Sequence, residues 1–177
     1  MTTSSEADRG EPEATGSAWT FPQMGPRGEG WVALQVALMG AVAAAGTRGR
    51  RWPSSTRSLR LLAAGPAALA GAYLLSAGIG GLGRQLTPFP KPRPVQQASL
   101  KRDGAYGLVR HPMYGGGLLL AFAWSLVSSP AALAPWAVTA LFLDAKRRRE
   151  EAWLSEEQPE YEAYRQEVPH SLLPFVW

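Results

Sequence analysis

The sequence contains no cysteine and only two histidines, His111 and His170, among its 177 residues. Without cysteine the chain forms neither disulfides nor thiolate metal sites, and two histidines are too few for a histidine-rich metal centre. We therefore expect no metal site. The length is that of a single domain.

We also expect no signal peptide in residues 1–30, because they have neither a basic start nor an apolar stretch. They are rich in serine, threonine, glycine, proline and acid, a composition that buries too little apolar surface to fold. We expect this acidic N-terminal segment to be largely disordered.

The formal net charge is +4. Lysines and arginines lie in short clusters beside apolar runs, as in the flanks of transmembrane helices, and do not form a continuous footprint for nucleic acid. We therefore expect membrane lipids as partners and no nucleic acid. The mean hydropathy of -0.12 is low for a membrane protein, which we attribute to the polar N-terminal segment, middle loop and tail.

Two apolar runs in the region 31–85 predict transmembrane helices. Trp31–Ala45 is apolar apart from Gln35. It is short for the roughly 20 residues that cross a bilayer, so a buried or interfacial helix is the alternative. Leu61–Gly83 has no charge over 23 residues, and its glycines would allow close contact between helices in a bilayer.

A third apolar stretch, 114–143, has no charge over 30 residues and is interrupted by Ser128-Ser-Pro130. It is too long for one level helix. We predict a tight hairpin of two helices, about Met113–Val127 and Ala131–Asp144. Both ends of a hairpin lie on the same side of the membrane, so the residues before the first helix should meet the basic cluster at 146–149.

The chain after the hairpin predicts a helical tail. The second hairpin helix should continue out of the membrane to Glu157, and a short helix should follow over 160–167, bounded by prolines. The apolar end, 172–177, should fold back onto the protein or the membrane interface. The predicted class is an all-α integral membrane protein with about four transmembrane helices, the last two a tight hairpin, followed by a cytoplasmic amphipathic helical tail.

The distribution of basic residues predicts the orientation. Four spans place both termini and the Arg84–Arg110 loop on one side, with 13 lysines and arginines, against five on the other side in the Thr47–Arg60 loop. The excess predicts a cytoplasmic position for the termini and the site. The five arginines of the opposite loop depart from that rule.

The start of the hairpin is the most informative stretch. Pro112 suits the first position of a helix, so His111 should lie at a helix mouth, with Tyr106, Arg110 and Tyr114 around it. Free backbone N–H groups and the positive end of the helix dipole suit an anionic group there. The alternative is that the arginine and tyrosines only anchor a span at the headgroup level.

A second group of polar residues lies on the cytoplasmic helix. Lys146, Glu150 and Leu154 are spaced at i, i+4 and i+8 and therefore share one face. The alternative is that Lys146 and Glu150 form only a surface ion pair. Tyr161 and Tyr164, at i and i+3, also share a face, where packing is the more common role.

Several motifs follow one another in order from Leu86 to the C-terminus. They are Leu86-Thr-Pro88, Gly104-Ala-Tyr106, Arg110-His-Pro-Met-Tyr114, Glu150-Glu-Ala-Trp-Leu154, Tyr161-Glu-Ala-Tyr-Arg165, Val168-Pro169 and Pro174-Phe175. Over about half the chain, this ordered set resembles the isoprenylcysteine carboxyl methyltransferase and phospholipid methyltransferase superfamily of integral membrane enzymes, and most of all its bacterial members.

The resemblance implies methyl transfer from S-adenosylmethionine at the membrane–cytosol boundary, with 86–177 as the methyltransferase region. Lys146 matches an arginine that faces the substrate carboxylate in the isoprenylcysteine enzymes, and Arg147 is a second candidate for orienting the substrate. The residues implied to bind the cofactor are Leu100, Lys101, Tyr106, His111, Pro112, Met113, Tyr114 and Glu150.

The implied acceptor is lipophilic, a small molecule or a lipidated substrate. A carboxylate nucleophile needs orientation but no general base, so O-methylation of a carboxylate is the first expectation. N-methylation of a phospholipid or small amine is the alternative within the enzyme class. A catalytically silent membrane scaffold is the alternative outside it.

Overall fold

The computed structural model describes residues 24–87 and 100–176, and these form helices and connecting turns without a strand. The rest of the N-terminal segment and most of the proline-rich loop, with Pro88, lie outside the described residues. The five α-helices are α1 (Glu29–Arg48), α2 (Arg57–Leu82), α3 (Pro112–Ser128), α4 (Leu133–Glu157) and α5 (Tyr161–Glu167).

Two helices are long and apolar enough to cross a membrane. α1, with 20 residues, is about 30 Å long, and α2 is longer. Only 17% of the apolar window of α1 and 22% of that of α2 is buried inside the protein. Leucines such as Leu62 and Leu69 of α2 are about three-quarters exposed, at 75% and 76%. Such extensive apolar exposure fits a lipid-facing surface.

The other two predicted spans are less apolar or shorter. α3 is an apolar helix of 17 residues. α4 begins with an uncharged part of 11 residues and continues through the charged stretch that starts at Asp144. The all-helical class is confirmed with two candidate spans, and the four-span arrangement stays a prediction.

The predicted helix boundaries need two corrections in the N-terminal half. α1 begins at Glu29, and the turn before it is ordered, because Gly30 N donates to Met24 O at 2.8 Å. α2 begins at Arg57, so that residue and Arg60 are helical and do not belong to the loop. Arginine is a good helix former, so a charged arginine before an apolar run does not by itself indicate a loop.

The hairpin is confirmed at the predicted position. α3 ends at Ser128, a 3-10 turn covers Pro130–Ala132, and α4 starts directly after it. Ser129 is extended, and its hydroxyl accepts a hydrogen bond from Ala131 N and donates one to Arg50 O. This serine therefore caps the turn and joins it to the loop after α1.

Glycines set the distance between α2 and α3. A Cβ on Gly116 would meet Leu75 N at 2.6 Å and Gly71 O at 2.7 Å, so the two helices touch through their backbones. The expectation that glycines of the second apolar run allow close packing is confirmed at Gly71 and Gly78. α1 packs against α3 and α4 instead.

The predicted fold-back of the apolar end is found at Leu172, whereas Phe175 and Val176 are 90% and 80% exposed. Leu172 is fully buried and packs with Leu118 and Leu143. Its backbone carbonyl lies against Gly115, where any side chain would overlap it. The tail therefore covers the start of α3.

The contact between α2 and α3 can be tested with neighbouring glycines. Gly116→Ala should lower the thermal stability of the detergent-purified protein by about 1–3 kcal/mol, because a methyl group would push against the α2 backbone. Gly117→Ala is the control, since a Cβ there meets nothing within 4 Å. Equal melting temperatures for the two variants would contradict the close contact.

Candidate active site

The start of α3, the charged part of α4 and the tail surround a cavity of about 480 Å³. Nine of the ten predicted site residues line this cavity, although they come from three separate regions of the sequence. They are Leu100, Lys101, Tyr106, His111, Pro112, Met113, Tyr114, Lys146 and Glu150.

Glu150 reaches the cavity beside the start of α3. Its Oε2 accepts a hydrogen bond from the Tyr114 hydroxyl at 2.8 Å and lies 3.7 Å from His111 Nδ1. The imidazole of His111 and the ring of Tyr114 are parallel, with centroids 5.5 Å apart. These three side chains form a polar wall with one carboxylate oxygen engaged.

Glu151 lies deeper, on the adjoining face of α4, and is 7% exposed. Its Oε1 accepts hydrogen bonds from Arg110 Nε and His111 Nε2, each at 3.0 Å. Burial by itself would raise the pKa of this carboxyl. The hydrogen bonds and charges of His111 and Arg110 outweigh it and lower the pKa from 4.5 to about 2. Glu151 is therefore ionised and fixes the His111 ring.

Arg110 extends this cluster to the tail. Its guanidinium donates to Val168 O at 2.6 Å and to Ser171 Oγ at 3.0 Å, in addition to Glu151. The backbone N–H groups of Arg110 and His111 donate to His170 O and Ser171 O. Because Pro112 has no N–H, the helix mouth offers mainly side chains as ligands, whereas the sequence suggested backbone amides.

Lys146 and Arg147 have different surroundings. Arg147 does not line the cavity; its guanidinium lies 2.6 Å from Asp144 Oδ1 and 3.6 Å from Glu151 Oε2. Lys146 does line it and is 2% exposed, so it is not a surface residue as the ion-pair alternative requires. Of the two candidates for orienting a substrate, Lys146 is thus the one that lies at the cavity.

The Lys146 ammonium group donates to Gln35 Oε1 of α1 and lies 4.9 Å above the Tyr114 ring. Burial lowers the pKa of Lys146, and the nearby charge of Glu150 opposes that shift. The amine is thus a poorly solvated donor with a neutral partner that an anion could replace.

Tyrosines form the wall on the side of the tail. Tyr164 donates to Tyr106 O at 2.7 Å, and Tyr106 donates to Gly78 O at 3.3 Å. Burial, and then the Glu150 charge, raises the pKa of the Tyr106 hydroxyl well above 10. This tyrosine therefore stays protonated at neutral pH and acts as a donor.

Tyr161 differs from its neighbour Tyr164. Its ring packs at 5.8 Å from the Tyr164 ring and is 1% exposed, yet its hydroxyl has no hydrogen-bond partner among the described residues. A buried hydroxyl without a partner is costly. Because Tyr161 lines the cavity, a ligand there would provide the missing acceptor.

The opposite wall is apolar. It is formed by Val32, Val36 and Met39 of α1 and by Leu75 of α2, together with the start of α3. The cavity therefore has a polar end at Glu150 and an apolar side between α1 and α2, the two helices that are long and apolar enough to cross a membrane.

Sequence reasoning missed three residues of this site. Gln35 was recorded only as the single polar residue of an apolar run, and that exception was the available signal. Glu151 has no role in the sequence analysis beyond being the second glutamate of the motif that starts at Glu150, and that motif was the available signal. Tyr161 was assigned to packing, because spacing alone does not reveal an unpaired hydroxyl.

Comparison with known proteins shows a similarity to a sterol reductase. The chain is 35% identical over 79 residues to the Delta(14)-sterol reductase TM7SF2 of Mus musculus. The match covers 42% of this chain and 19% of that protein, so the chain spans about a fifth of that relative's length. No protein-family profile and no solved structure matches. The similarity to a sterol reductase, together with the two apolar helices, indicates association with a membrane.

The depressed pKa of Glu151 predicts an acid-dependent stability. The folded-state pKa of about 2 lies below the usual 4.5, so this carboxylate stabilises the fold at any pH above about 4.5. The contribution, roughly 3 kcal/mol, is lost as the pH falls from 4.5 towards 2. Glu151→Gln should therefore melt well below the wild type at pH 7, and the difference should narrow below pH 4.5.

The control is Glu162→Gln on α5, whose side chain is 60% exposed and pairs with Arg165. It should change the melting temperature little at either pH, because exposed ion pairs contribute at most about 1 kcal/mol. If the difference in melting temperature between the wild type and Glu151→Gln stays constant from pH 7 to pH 3, the pKa of Glu151 is not lowered in the folded protein.

Proposed function

We propose that this protein is a methyltransferase that uses S-adenosylmethionine and acts on a lipophilic acceptor at the membrane–cytosol boundary. The observation that carries the proposal is the convergence of nine predicted residues on one cavity. Packing alone does not require a glutamate, a histidine, two lysines and two tyrosines to meet in one cavity.

The cavity suits the size and the chemistry of this cofactor. Its volume of about 480 Å³ lies in the range of small-molecule sites. Glu150 can accept hydrogen bonds from an ammonium or ribose, Lys101 can pair with a carboxylate, and Tyr161 has an unused hydroxyl. The aromatic face of Tyr106 can meet a positive sulfonium.

S-adenosylmethionine, when bound, supplies an electrophilic methyl group. The contribution of the protein is then alignment, since methyl transfer is an in-line displacement, and good positioning can lower a barrier by roughly 7–11 kcal/mol. The two ring nitrogens of His111 contact different carboxylates, Nδ1 that of Glu150 and Nε2 that of Glu151. These two contacts fix the orientation of the ring in the polar wall.

For the acceptor we propose a lipophilic carboxylic acid. Its apolar body would lie along Val36 and Met39, and its carboxylate would replace Gln35 as the partner of Lys146. The amine alternative requires a base to remove a proton. Radiolabel from the cofactor should enter an alkali-labile ester in the first case and a stable amine in the second.

The membrane arrangement is part of the proposal. α1 to α4 would all cross, with the charged part of α4 and α5 in the cytoplasm of a bacterial cell. The site would then lie at the headgroup level of the inner leaflet. The chain would be a member of the isoprenylcysteine carboxyl methyltransferase-like superfamily.

The similarity to a sterol reductase supports one second candidate. A reductase acting on a lipophilic alkene would need a hydride donor in the same cavity, and the tyrosine hydroxyls could provide a proton. The two candidates differ in the cofactor that binds. Calorimetric titration of the detergent-purified protein with S-adenosylhomocysteine and with NADPH separates them.

The methyltransferase proposal predicts binding of S-adenosylhomocysteine that depends on Glu150. Glu150→Ala should weaken it about ten- to hundredfold, because a charged hydrogen-bond partner contributes roughly 1.5–3 kcal/mol. The control is Glu156→Ala, an exposed glutamate of the same helix that does not line the cavity. Its affinity should equal that of the wild type.

Absence of binding to a wild type that melts cooperatively would overturn the methyltransferase proposal. Binding of NADPH in its place would favour the reductase, and binding of neither would favour a silent scaffold. If Glu150→Ala and Glu156→Ala lose affinity for S-adenosylhomocysteine equally, the ligand does not bind in this cavity.

The unpaired hydroxyl of Tyr161 gives a second test of the ligand site. Tyr161→Phe should leave the melting temperature of the ligand-free protein unchanged or slightly raised, because it removes a buried polar group without a partner. It should nevertheless weaken S-adenosylhomocysteine binding several-fold. Tyr164→Phe should do the reverse and cost about 1 kcal/mol of stability, since it loses the bond to Tyr106 O. A Tyr161→Phe variant with wild-type affinity would exclude this hydroxyl as a ligand.

A further inference from the structure

A second concave site lies at the other end of the helices, where α1 ends, α2 begins and α3 ends. Its volume is about 330 Å³. Its lining is dominated by arginine and contains no acidic residue. The residues that matter for its chemistry are Arg51, Trp52, Ser54, Arg57, Arg60 and Val127.

One side of this site is a fixed framework. Trp52 Nε1 donates to Ser125 O at 2.9 Å, and Arg60 Nη1 donates to Leu126 O at 2.7 Å. The Arg60 guanidinium also lies 5.3 Å from the centre of the Trp52 ring and donates to Thr56 Oγ1 at 3.0 Å. These bonds tie the start of α2 to the last turn of α3, so the site has a preformed wall.

Two further arginines face the same cavity without such bonds. Arg51 and Arg57 are exposed, and no carboxylate of the described residues pairs with either of them. The sequence has no acidic residue between Glu29 and Asp103, and none between Asp103 and Asp144. The positive charge at this end is therefore not neutralised by the residues around it.

The local backbone adds to the positive potential. A 3-10 turn over Ser54–Thr56 runs directly into α2, so the helical N–H groups and the positive end of the helix dipole begin at this site. Ser54 adds a hydroxyl donor. Arginine forks, a hydroxyl and a helix N-terminus together are the groups that bind phosphate in proteins.

The apolar surroundings indicate which kind of phosphate-containing molecule would fit this site. Leu61 and Val127 form part of the lining, and exposed leucines continue along α2, with Leu62 at 75% and Leu69 at 76% exposure. A ligand that fits would have an anionic head at the arginines and apolar chains along α2. An anionic phospholipid has that form, whereas a free phosphate would use only the head.

We propose that Arg51 and Arg57 bind the phosphate group of an anionic phospholipid in the leaflet opposite the candidate active site. This assignment gives a reason for Arg51 and Arg57 in a place where the distribution of charge predicts few arginines. It requires that α1 and α2 span the membrane, but it does not depend on which reaction the protein performs.

The test is the thermal stability of the full-length protein in neutral detergent micelles. Added phosphatidylglycerol should raise the melting temperature of the wild type in a saturable way, and phosphatidylcholine or inorganic phosphate should raise it far less. The double variant Arg51→Gln/Arg57→Gln should have the wild-type melting temperature without lipid, because both side chains are exposed. Its apparent affinity for phosphatidylglycerol should fall at least tenfold.

The matched control is Arg48→Gln/Arg50→Gln, which removes the same charge from the same end of the helices at side chains outside the lining. It should keep most of the phosphatidylglycerol effect. If both double variants lose the phosphatidylglycerol effect equally, the effect is a general attraction between the arginines and anionic lipid. The proposed binding site would then be wrong. An inorganic phosphate effect as large as that of phosphatidylglycerol would overturn the lipid assignment in favour of a free anion.

Discussion

The buried charge of Glu151 is the constraint on which the polar end of the molecule depends. Arg110 is 8% exposed and Glu151 is 7% exposed, so neither charge could remain there without the other. Arg110 also binds Val168 O and Ser171 Oγ of the tail. One ion pair therefore holds together the start of α3, the charged part of α4 and the tail, and the position of His111 follows from it.

The candidate site combines two kinds of packing. α2 and α3 meet through backbone contact at Gly71 and Gly116, which leaves little freedom between them. α1 reaches the site through side chains, above all the hydrogen bond between Gln35 and Lys146. A rigid helix pair on one side and, on the other, a polar contact of α1 that an anion could replace would suit the lipophilic acceptor that we propose.

The sequence predicted the elements whose signals are local. The hairpin followed from uncharged length and the proline after Ser129, and the shared face of Lys146 and Glu150 followed from helical spacing. Features that depend on distant partners were not predictable in this way. The role of Glu151 requires Arg110, 41 residues away, and the unpaired hydroxyl of Tyr161 follows from packing around it, which no spacing records. The two helical arginines of α2 were assigned to a loop, because serine and proline nearby suggested one.

The two ends of the helices differ in how their positive charges are balanced. At the candidate active site, carboxylates of the chain itself neutralise arginines, as Asp144 does for Arg147 and Arg148. At the opposite end no carboxylate of the described residues pairs with Arg51 or Arg57, and we propose lipid phosphate as their counter-charge. The rule for membrane orientation counts lysines and arginines and not net charge. An arginine cluster that binds lipid phosphate can therefore persist on the side with fewer basic residues, because attraction to the headgroup compensates for its unfavourable position.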